Sequence, residues 1–220
     1  MSGDAPIIIA IDGPAASGKG TLARRIAQHF GFAHLDTGRL YRATALAVLE
    51  TGGDPADPIA AEKAAQTLDV SSLADPRLNG EEVARASSVV AAIPAVRAAL
   101  LALQRGFARH PPPPAQGSVL DGRDIGTVVC PDATLKLFIT ASAESRAERR
   151  VKELRDRSVA AIYDAVLQDM KERDARDSER RVAPLSVAPD AVIIDTTLLD
   201  ADQVFEQASD LIARLYAARR

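Results

Sequence analysis

Residues 13–21, Gly13-Pro14-Ala15-Ala16-Ser17-Gly18-Lys19-Gly20-Thr21, decide the fold of this 220-residue chain. They follow a short β-branched run at residues 7–11 and lead into helically spaced apolar side chains up to Phe30. Glycines let the backbone curl so that several N–H groups point at one anion, and a helix that begins there adds the positive end of its dipole. Lys19 is spaced to reach the outer phosphates of a nucleotide, whereas a plain glycine turn requires no lysine. The stretch therefore predicts that residues 13–21 hold nucleotide phosphates.

Short apolar runs alternate with helical patterns along the rest of the chain. The predicted strands are residues 7–11, 32–35, 118–120, 135–140 and 191–195. Such alternation is typical of an α/β fold with a parallel sheet that is buried on both faces. Residues 54–80 contain three prolines and an Asn79-Gly80 turn signal and show no regular pattern. The last helix is expected from about Asp200, where Asp200 and Gln203 have the spacing of a capping box.

Acidic residues end or follow three of the predicted strands, at Asp12, Asp36 and Asp121. In parallel α/β sheets, polar groups at the carboxyl ends of the strands face the ligand. Asp121 has the position of a carboxylate that orients Mg²⁺, although an aspartate that only caps a turn would look the same. The Ser or Thr that commonly ligates Mg²⁺ directly after the lysine is replaced by Gly20. We therefore expect Thr21 and Asp121 to contact Mg²⁺ through water.

The composition excludes several functional classes. The chain has 27 Lys and Arg against 30 Asp and Glu, and this net charge of −3 argues against holding nucleic acid through bulk positive charge. Its single cysteine excludes an internal disulfide framework and fits a reducing compartment. No apolar run approaches the ~20 residues of a membrane span, and the N-terminus lacks the pattern of a signal peptide. We expect a cytoplasmic protein with neither a membrane nor a nucleic-acid partner.

Arginine accounts for 22 of the 27 basic residues. Codon bias explains most of them, but seven lie within two turns of two predicted helices: Arg146, Arg149, Arg150, Arg173, Arg176, Arg180 and Arg181. Glu and Asp are interspersed with them, as on an ordinary solvated helix face. Beside a phosphate loop, however, guanidinium groups on a mobile flap can neutralise a transferring phosphoryl group and exclude water. Arg123, next to the end of the third strand, is also placed to clamp phosphate.

Taken together, the motifs resemble the bacterial cytidylate kinases, which are (d)CMP kinases among the nucleoside monophosphate kinases. The resemblance covers nearly the whole chain and rests on GPAASGKGT at 13–21, LDTGRLYRA at 35–43, SSVVAAIPAVR at 87–97, DGRDIGTVVCPDA at 121–133, RAERR at 146–150, KERDARDSER at 171–180 and VAPL at 182–185. The first motif fits any P-loop kinase, whereas the second, fourth and sixth together are specific to this family. The resemblance implies a monomeric enzyme that uses Mg²⁺ and transfers the γ-phosphoryl group of ATP to CMP or dCMP.

The resemblance also implies a domain organisation. Residues 1–220 would form one P-loop kinase domain around a sheet of five parallel strands. Its CORE would comprise about residues 1–36, 111–141 and 186–220, its monophosphate-binding region about 37–110, and its short helical LID about 142–185. One departure from the family is that residues 71–82 are shorter than the usual insert, which carries a small antiparallel sheet. We expect that sheet to be reduced or missing, and the separation of CMP from UMP to be affected.

The matching positions imply roles for individual residues. Thr37, Tyr41 and Arg42 match the holders of the acceptor phosphate, and Ser88, Arg97 and Asp124 match the positions that read cytosine. Cytosine has acceptors at O2 and N3 and a donor at N4, which Arg and Asp or Ser complement. Arg123 and Arg180 match phosphate ligands, and Arg173 and Asp177 lie near the pentose and phosphate. The implied catalytic set is Lys19, Arg123, Arg146, Arg149, Arg150 and Arg180.

Two alternatives stay open at this point. One is another small-acceptor kinase of the same fold that acts on UMP, AMP, dTMP or shikimate. The other is a P-loop nucleotide switch, although the chain has no N-K-x-D guanine-reading motif and little room for an effector module. Arg97 with Asp124 distinguishes the first alternative, because only an amino-bearing pyrimidine makes use of the carboxylate.

Overall fold

The computed structural model describes residues 6–218, without the side chains of residues 217 and 218. Its centre is one parallel sheet of five strands in the order β2-β3-β1-β4-β5. The strands are β1 Ile7–Asp12, β2 Ala33–Asp36, β3 Gly117–Gly122, β4 Leu135–Thr140 and β5 Val192–Asp195. The helices are α1 Lys19–Phe30, α2 Thr37–Glu50, α3 Pro58–Gln66, α4 Glu81–Val90, α5 Pro94–Arg109, α6 Ala143–Asp156, α7 Tyr163–Glu179 and α8 Ala201–Ala218.

The central strand β1 explains why the sequence begins with a continuous apolar run. All six of its residues are buried, and successive side chains point to opposite faces of the sheet. Ile8 and Ala10 pack into a core with α2 and α5, whereas Ile9 and Ile11 pack into a second core with α1 and α8. Since both faces are covered by helices, neither face of β1 tolerates polar residues before Asp12.

The carboxyl ends of the strands meet along one edge of the sheet. Asp36 of β2 lies opposite Asp121 of β3, and Asp12 of β1 lies opposite Gly122. The predicted fold class is therefore confirmed: an α/β P-loop fold with a parallel five-stranded sheet and helices on both faces.

Residues 54–80 are more regular than the sequence indicated. They contain α3, whose Pro58 occupies the first turn, where a missing N–H costs nothing, and whose Asp57 accepts a hydrogen bond of 2.9 Å from Ile59 N. Two 3-10 turns follow, Val70–Ala74 and Pro76–Asn79. Arg39 ties them to α2 by donating to the carbonyls of Leu73 and Asp75 at 2.7 and 3.2 Å. Within residues 6–218 there is no strand between β2 and β3, as expected for the shortened insert.

Two further predictions concern the C-terminal part of the chain. The capping box is confirmed, since Gln203 N donates to Asp200 Oδ1 at 2.9 Å and Asp200 N donates to Gln203 Oε1 at 3.0 Å. The residues predicted as the LID contain α6 and α7, while the bounds of CORE, monophosphate-binding region and LID stay predictions.

Across residues 6–218, no single helix is long and apolar enough to cross a membrane; α4 and α5, bent by 99° against each other, pass that test only as a pair.

Candidate active site

A cleft of about 990 Å³ opens at the carboxyl ends of the strands. The start of α1 forms its floor, α2 and α4 form one wall, and α6 and α7 form the other. Nearly all residues predicted for the site line this cleft, and the exceptions are Gly13, Pro14, Ser17 and Arg146. The tertiary structure thus brings together side chains from positions 15 to 180 of the chain.

The loop between β1 and α1 has the backbone that an anion cradle requires. Gly13 has φ +152°, and a Cβ on it would lie 2.0 Å from Ile139 O of β4. Gly18, the residue before α1, has φ +93°, which L side chains rarely adopt. Both glycines are therefore required by the geometry. Ser17 is fully buried, and its Oγ makes no hydrogen bond within the described residues.

Lys19 is the first residue of α1 and points into the loop, where its Nζ donates to Pro14 O at 3.0 Å. Burial and the nearby Arg123 lower its pKa to about 7, while Asp121 and Asp36 oppose this shift. A buried cation without a close carboxylate costs free energy that an approaching phosphate would offset. Its environment therefore suits an anionic ligand.

The residues predicted to read cytosine form one cluster. Arg97 on α5 makes a buried ion pair with Asp124 and also donates to Ala91 O at 3.2 Å. The guanidinium carbon of Arg97 lies 5.5 Å from the centre of the Tyr41 ring. Ser88 on α4 faces the same cleft, where its Oγ accepts a hydrogen bond of 2.6 Å from Arg176. This set offers both donors and a carboxylate acceptor to a planar base.

The residues predicted near the pentose and phosphates lie on α7 and after β3. Arg123 Nε donates to Asp177 Oδ2 at 2.8 Å. Burial opposes ionisation of Asp177, but Arg123 and Arg173 hold its pKa below the usual value. Arg173 is half-buried beside Arg123, and the loss of solvent together with the charge of Arg123 lowers its pKa to about 10. Arg173 Nε and Arg180 Nη2 are buried donors without a hydrogen-bond partner among the described residues. The ion pairs of Arg180 are long, at 3.8 Å to Asp124 and 4.0 Å to Asp177, so the two donors are available to a bound anion.

The three α6 arginines that were predicted to be catalytic, Arg146, Arg149 and Arg150, are already engaged by the protein. Arg146 is buried, donates to Ala15 O at 3.3 Å and forms an ion pair with Asp174 at 2.6 Å. Arg149 donates to the hydroxyl and the carbonyl of Thr196, after β5. These two side chains hold the phosphate loop and its surroundings in place. Their predicted direct contact with a transferring phosphate stays a prediction.

Arg150 bridges the cleft. It pairs with Glu81 in the first turn of α4 and with Glu153 of its own helix at 2.7 Å. The family resemblance implies that Arg150 is one of the catalytic arginines, and no pattern in the sequence indicates that a glutamate 69 positions away is its partner. Since the pair joins α4 to α6, it connects the two walls of the cleft.

Three predicted contacts look different in the structure. Thr37 donates its hydroxyl hydrogen to Asp121 O at 2.8 Å, so this hydrogen is not available to a phosphate in the same state. Arg42 Nη1 donates to Leu78 O at 2.7 Å. Thr21 is exposed, and its hydroxyl accepts from Arg24 at 3.4 Å. A Cβ placed on Gly20 would lie 3.5 Å from Asp121 Oδ2. Of Gly20 and Thr21, it is therefore Gly20 that faces the Asp121 carboxylate.

A second carboxylate, that of Asp36, lies opposite Asp121 at the expected magnesium position. Burial and the charge of Asp121 raise the pKa of Asp36, which indicates that two negative charges lie close together. His34 Nε2 lies 2.7 Å from Asp121 Oδ1. Within residues 6–218, no group of three or more His, Cys, Asp or Glu is arranged to hold a metal by itself. The pair nevertheless fits Mg²⁺, which proteins typically hold with one or two carboxylates together with substrate phosphates.

Sequence reasoning noted Asp12 as a strand end but assigned it no role. The structure shows it buried, accepting from Ile125 N at 2.8 Å and from Gly126 N at 2.7 Å. Burial raises its pKa to about 6 even though both amides stabilise the charged form. Thr196 is also buried and also had no assigned role; its hydroxyl lies within 3.0 Å of Ser17 O in the phosphate loop. No sequence signal distinguishes Thr196 from an ordinary strand-end threonine.

Comparisons with known proteins agree with this site. The family model described as cytidylate kinase matches residues 9–214. A cytidylate kinase from Rhodospirillum rubrum is 60% identical over 167 residues, covering 76% of this chain and 78% of its own. One from Paramagnetospirillum magneticum is 58% identical over 205 residues, covering 93% and 97%. The crystal structure of a gluconokinase from Sinorhizobium meliloti superposes with a TM-score of 0.50 at 15% identity, covering 98% of both chains, and shares the fold alone.

The family match spans both the phosphate loop and the cluster of Ser88, Arg97 and Asp124. The chain therefore belongs to the cytidylate kinase family, the ATP-dependent enzymes that phosphorylate CMP and dCMP.

Proposed function

We propose that the cleft binds ATP on residues 13–21 and CMP or dCMP between α2, α4 and α7, and that the residues described above carry out the transfer. The observation that carries this proposal is the buried Arg97–Asp124 pair beside Ser88, in the same cleft as the phosphate loop. An arginine donates to O2 and N3 of cytosine, and the carboxylate accepts from its amino group. Uracil has an acceptor where cytosine has that amino group, so the same carboxylate repels it.

The transfer needs no general base, because the acceptor is an anionic phosphate. An oxygen of the CMP phosphate forms a bond to the γ-phosphorus of ATP, and the bond from that phosphorus to the β-bridging oxygen breaks. The products are ADP and CDP. The task of the protein is to hold the two phosphates together and to neutralise charge as it shifts.

Cationic side chains supply this neutralisation. Lys19 binds the outer phosphates of ATP, while Arg123, Arg173 and Arg180 bind the phosphates near the point of transfer. The unpartnered donors of Arg173 and Arg180 support this assignment. Arg42 joins the acceptor phosphate by leaving Leu78 O, and Arg150 does so by leaving Glu81. Arg146 and Arg149 act by fixing the phosphate loop from α6.

Asp121 and Asp36, with Thr21 nearby, would hold Mg²⁺ through water and nucleotide phosphates. When bound, the ion supplies positive charge to the β- and γ-phosphates. We also propose that the protein works as a monomer in the cytoplasm. The mass of the particle in solution, measured by light scattering with and without substrates, tests the monomer.

A substrate panel tests the proposed function. Turnover of ATP is measured by coupled ADP detection with CMP, dCMP, UMP, AMP and dTMP. We expect CMP and dCMP to be preferred, and Asp124→Ala to reduce kcat/KM for CMP far more than for UMP. Asp132→Ala is the matched control, since Asp132 is an exposed aspartate of the same segment. Preference of the wild-type enzyme for AMP or UMP would refute the assignment.

A further inference from the structure

Asp124 occupies a helix N-cap position, but its side chain does not cap the helix. It directly precedes one turn of π-helix, Ile125–Val129, and so occupies its N-cap. An N-cap aspartate usually turns its carboxylate back to accept from the N–H groups of the second or third residue of the helix. The Asp124 side chain makes no such hydrogen bond. It points instead to Arg97, on the base-reading side of the cleft.

The first two backbone N–H groups of this turn donate to Asp12 instead. Asp12 ends strand β1, more than 100 positions earlier in the chain. Its Oδ1 accepts from Ile125 N at 2.8 Å and its Oδ2 from Gly126 N at 2.7 Å. Both carboxylate oxygens are thus used, and the side chain is buried. A Cβ on Gly126 would lie 3.4 Å from Asp12 Oδ2, which is an ordinary contact distance, and 3.1 Å from Lys136 Cδ.

We propose that Asp12 is a specificity-determining positioning residue: by capping the 125–129 turn in place of Asp124, it leaves the Asp124 carboxylate on the base-reading side of the cleft, paired with Arg97, where it accepts from the amino group of the substrate base. This inference rests on the proposed function. Asp12 does not touch the base, and it acts through the backbone of Ile125 and Gly126. Because Asp12 immediately precedes Gly13, the same residue also joins the phosphate loop to the base-reading segment.

Removal of this cap has a defined consequence. In Asp12→Asn, one oxygen becomes an NH2 group, which cannot accept from an amide N–H. One amide of the turn then lacks a partner, and the nearest carboxylate able to serve it is that of Asp124. A side chain turned inward no longer accepts from cytosine and no longer repels uracil.

The experiment compares CMP with UMP for the wild-type enzyme, Asp12→Asn and Asp12→Glu. Asp12→Glu keeps both oxygens but shifts them by one methylene, so that a second variant is available should the first fail to fold. We expect the ratio of kcat/KM for CMP over UMP to fall by about tenfold, the usual effect of losing one hydrogen bond to a charged group. The matched control is Asp195→Asn, another strand-end aspartate, which accepts from Thr197 N at 2.9 Å in the loop after β5. It should leave the ratio unchanged.

A double-mutant cycle separates positioning from general destabilisation. In an Asp124→Asn background, Asp12→Asn should change the CMP-to-UMP ratio by less than about twofold, because the carboxylate it positions is gone. Hydrogen exchange of residues 122–129 in Asp12→Asn should show faster exchange at Ile125 and Gly126. Equal losses for CMP and UMP, or independent effects in the cycle, would overturn the inference while leaving the proposed function intact. A wild-type enzyme without preference for CMP would overturn both.

Discussion

Lys19 is expected to take up a proton when ATP binds. Burial and the neighbouring Arg123 lower its pKa to about 7 in the free protein, so at pH 8 most Lys19 side chains are neutral. The phosphates of ATP bring negative charge to the ammonium group and favour its protonated form, which returns the pKa toward its ordinary value of 10.5. Binding therefore draws a proton from the buffer.

The size of the proton uptake follows from these two pKa values of Lys19, about 7 in the free protein and 10.5 beside the phosphates. At pH 8 about 0.9 of a proton should be taken up per ATP, and at pH 6 about 0.1, since the free lysine is already protonated there. The dissociation constant should consequently increase about tenfold from pH 6 to pH 8. The stabilising contact is present below pH 7 and weakens as the pH rises through the pKa of the free enzyme.

Calorimetry measures this uptake directly. Binding of a non-hydrolysable ATP analogue, as its magnesium complex, is measured at pH 8 in two buffers with different ionisation enthalpies. The difference in apparent binding enthalpy gives the number of protons. Lys19→Met, which cannot titrate, is the control and should abolish the uptake. No uptake by the wild-type protein, or the same uptake by the variant, would refute the reasoning.

Three more predictions test other parts of the structure. Glu81→Gln should release Arg150 from α4 and lower the KM for CMP by about two- to fivefold, because a partly exposed ion pair contributes at most about 1 kcal/mol; an unchanged or increased KM for CMP in steady-state kinetics contradicts this. Asp121→Asn should raise the Mg²⁺ concentration for half-maximal rate about 10–100-fold, as for other groups that act on a metal through water, and a magnesium titration with EDTA-treated enzyme measures it. Asp200→Ala should lower the free energy of unfolding by about 1 kcal/mol through loss of the capping box, with kcat and KM unchanged; equal denaturation midpoints would show that the cap does not contribute.

Much of the site was predictable because its motifs are local. The phosphate loop combines a strand, two glycines with positive φ and a helix start within residues 7–21, and each part leaves a mark on the sequence. The cluster of Arg97 with Asp124 was reached through the family resemblance, and the structure places the two side chains in contact. Helix α3 is not evident from the sequence of residues 54–80, where the prolines obscure a helical pattern, although Pro58 stands in a first turn.

The partners of the arginines could not be predicted in the same way. Arg150 pairs with a residue 69 positions away and Arg146 with one 28 positions away. A helical spacing shows that arginines share a face, but what lies opposite that face depends on how α4, α6 and α7 are packed. The hydrogen bond from the Thr37 hydroxyl likewise depends on the pairing of β2 with β3, which places its acceptor, Asp121 O, beside it.

The sequence by itself determined the fold class and the nucleotide loop, because hydrophobic periodicity and the glycines of the loop are short-range physical requirements. The family followed from the resemblance of its motifs. Only the tertiary structure decided which arginines keep unused hydrogen-bond donors. Arg173 and Arg180 keep buried donors without partners, whereas Arg146 and Arg149, equally suggestive in sequence, are bound by the protein. The tertiary structure also assigned the cap of residues 125–129 to Asp12 and paired the Asp124 carboxylate with Arg97. Burial and the pairing of distant strands set these outcomes, and neither is encoded in the spacing of residues along the chain.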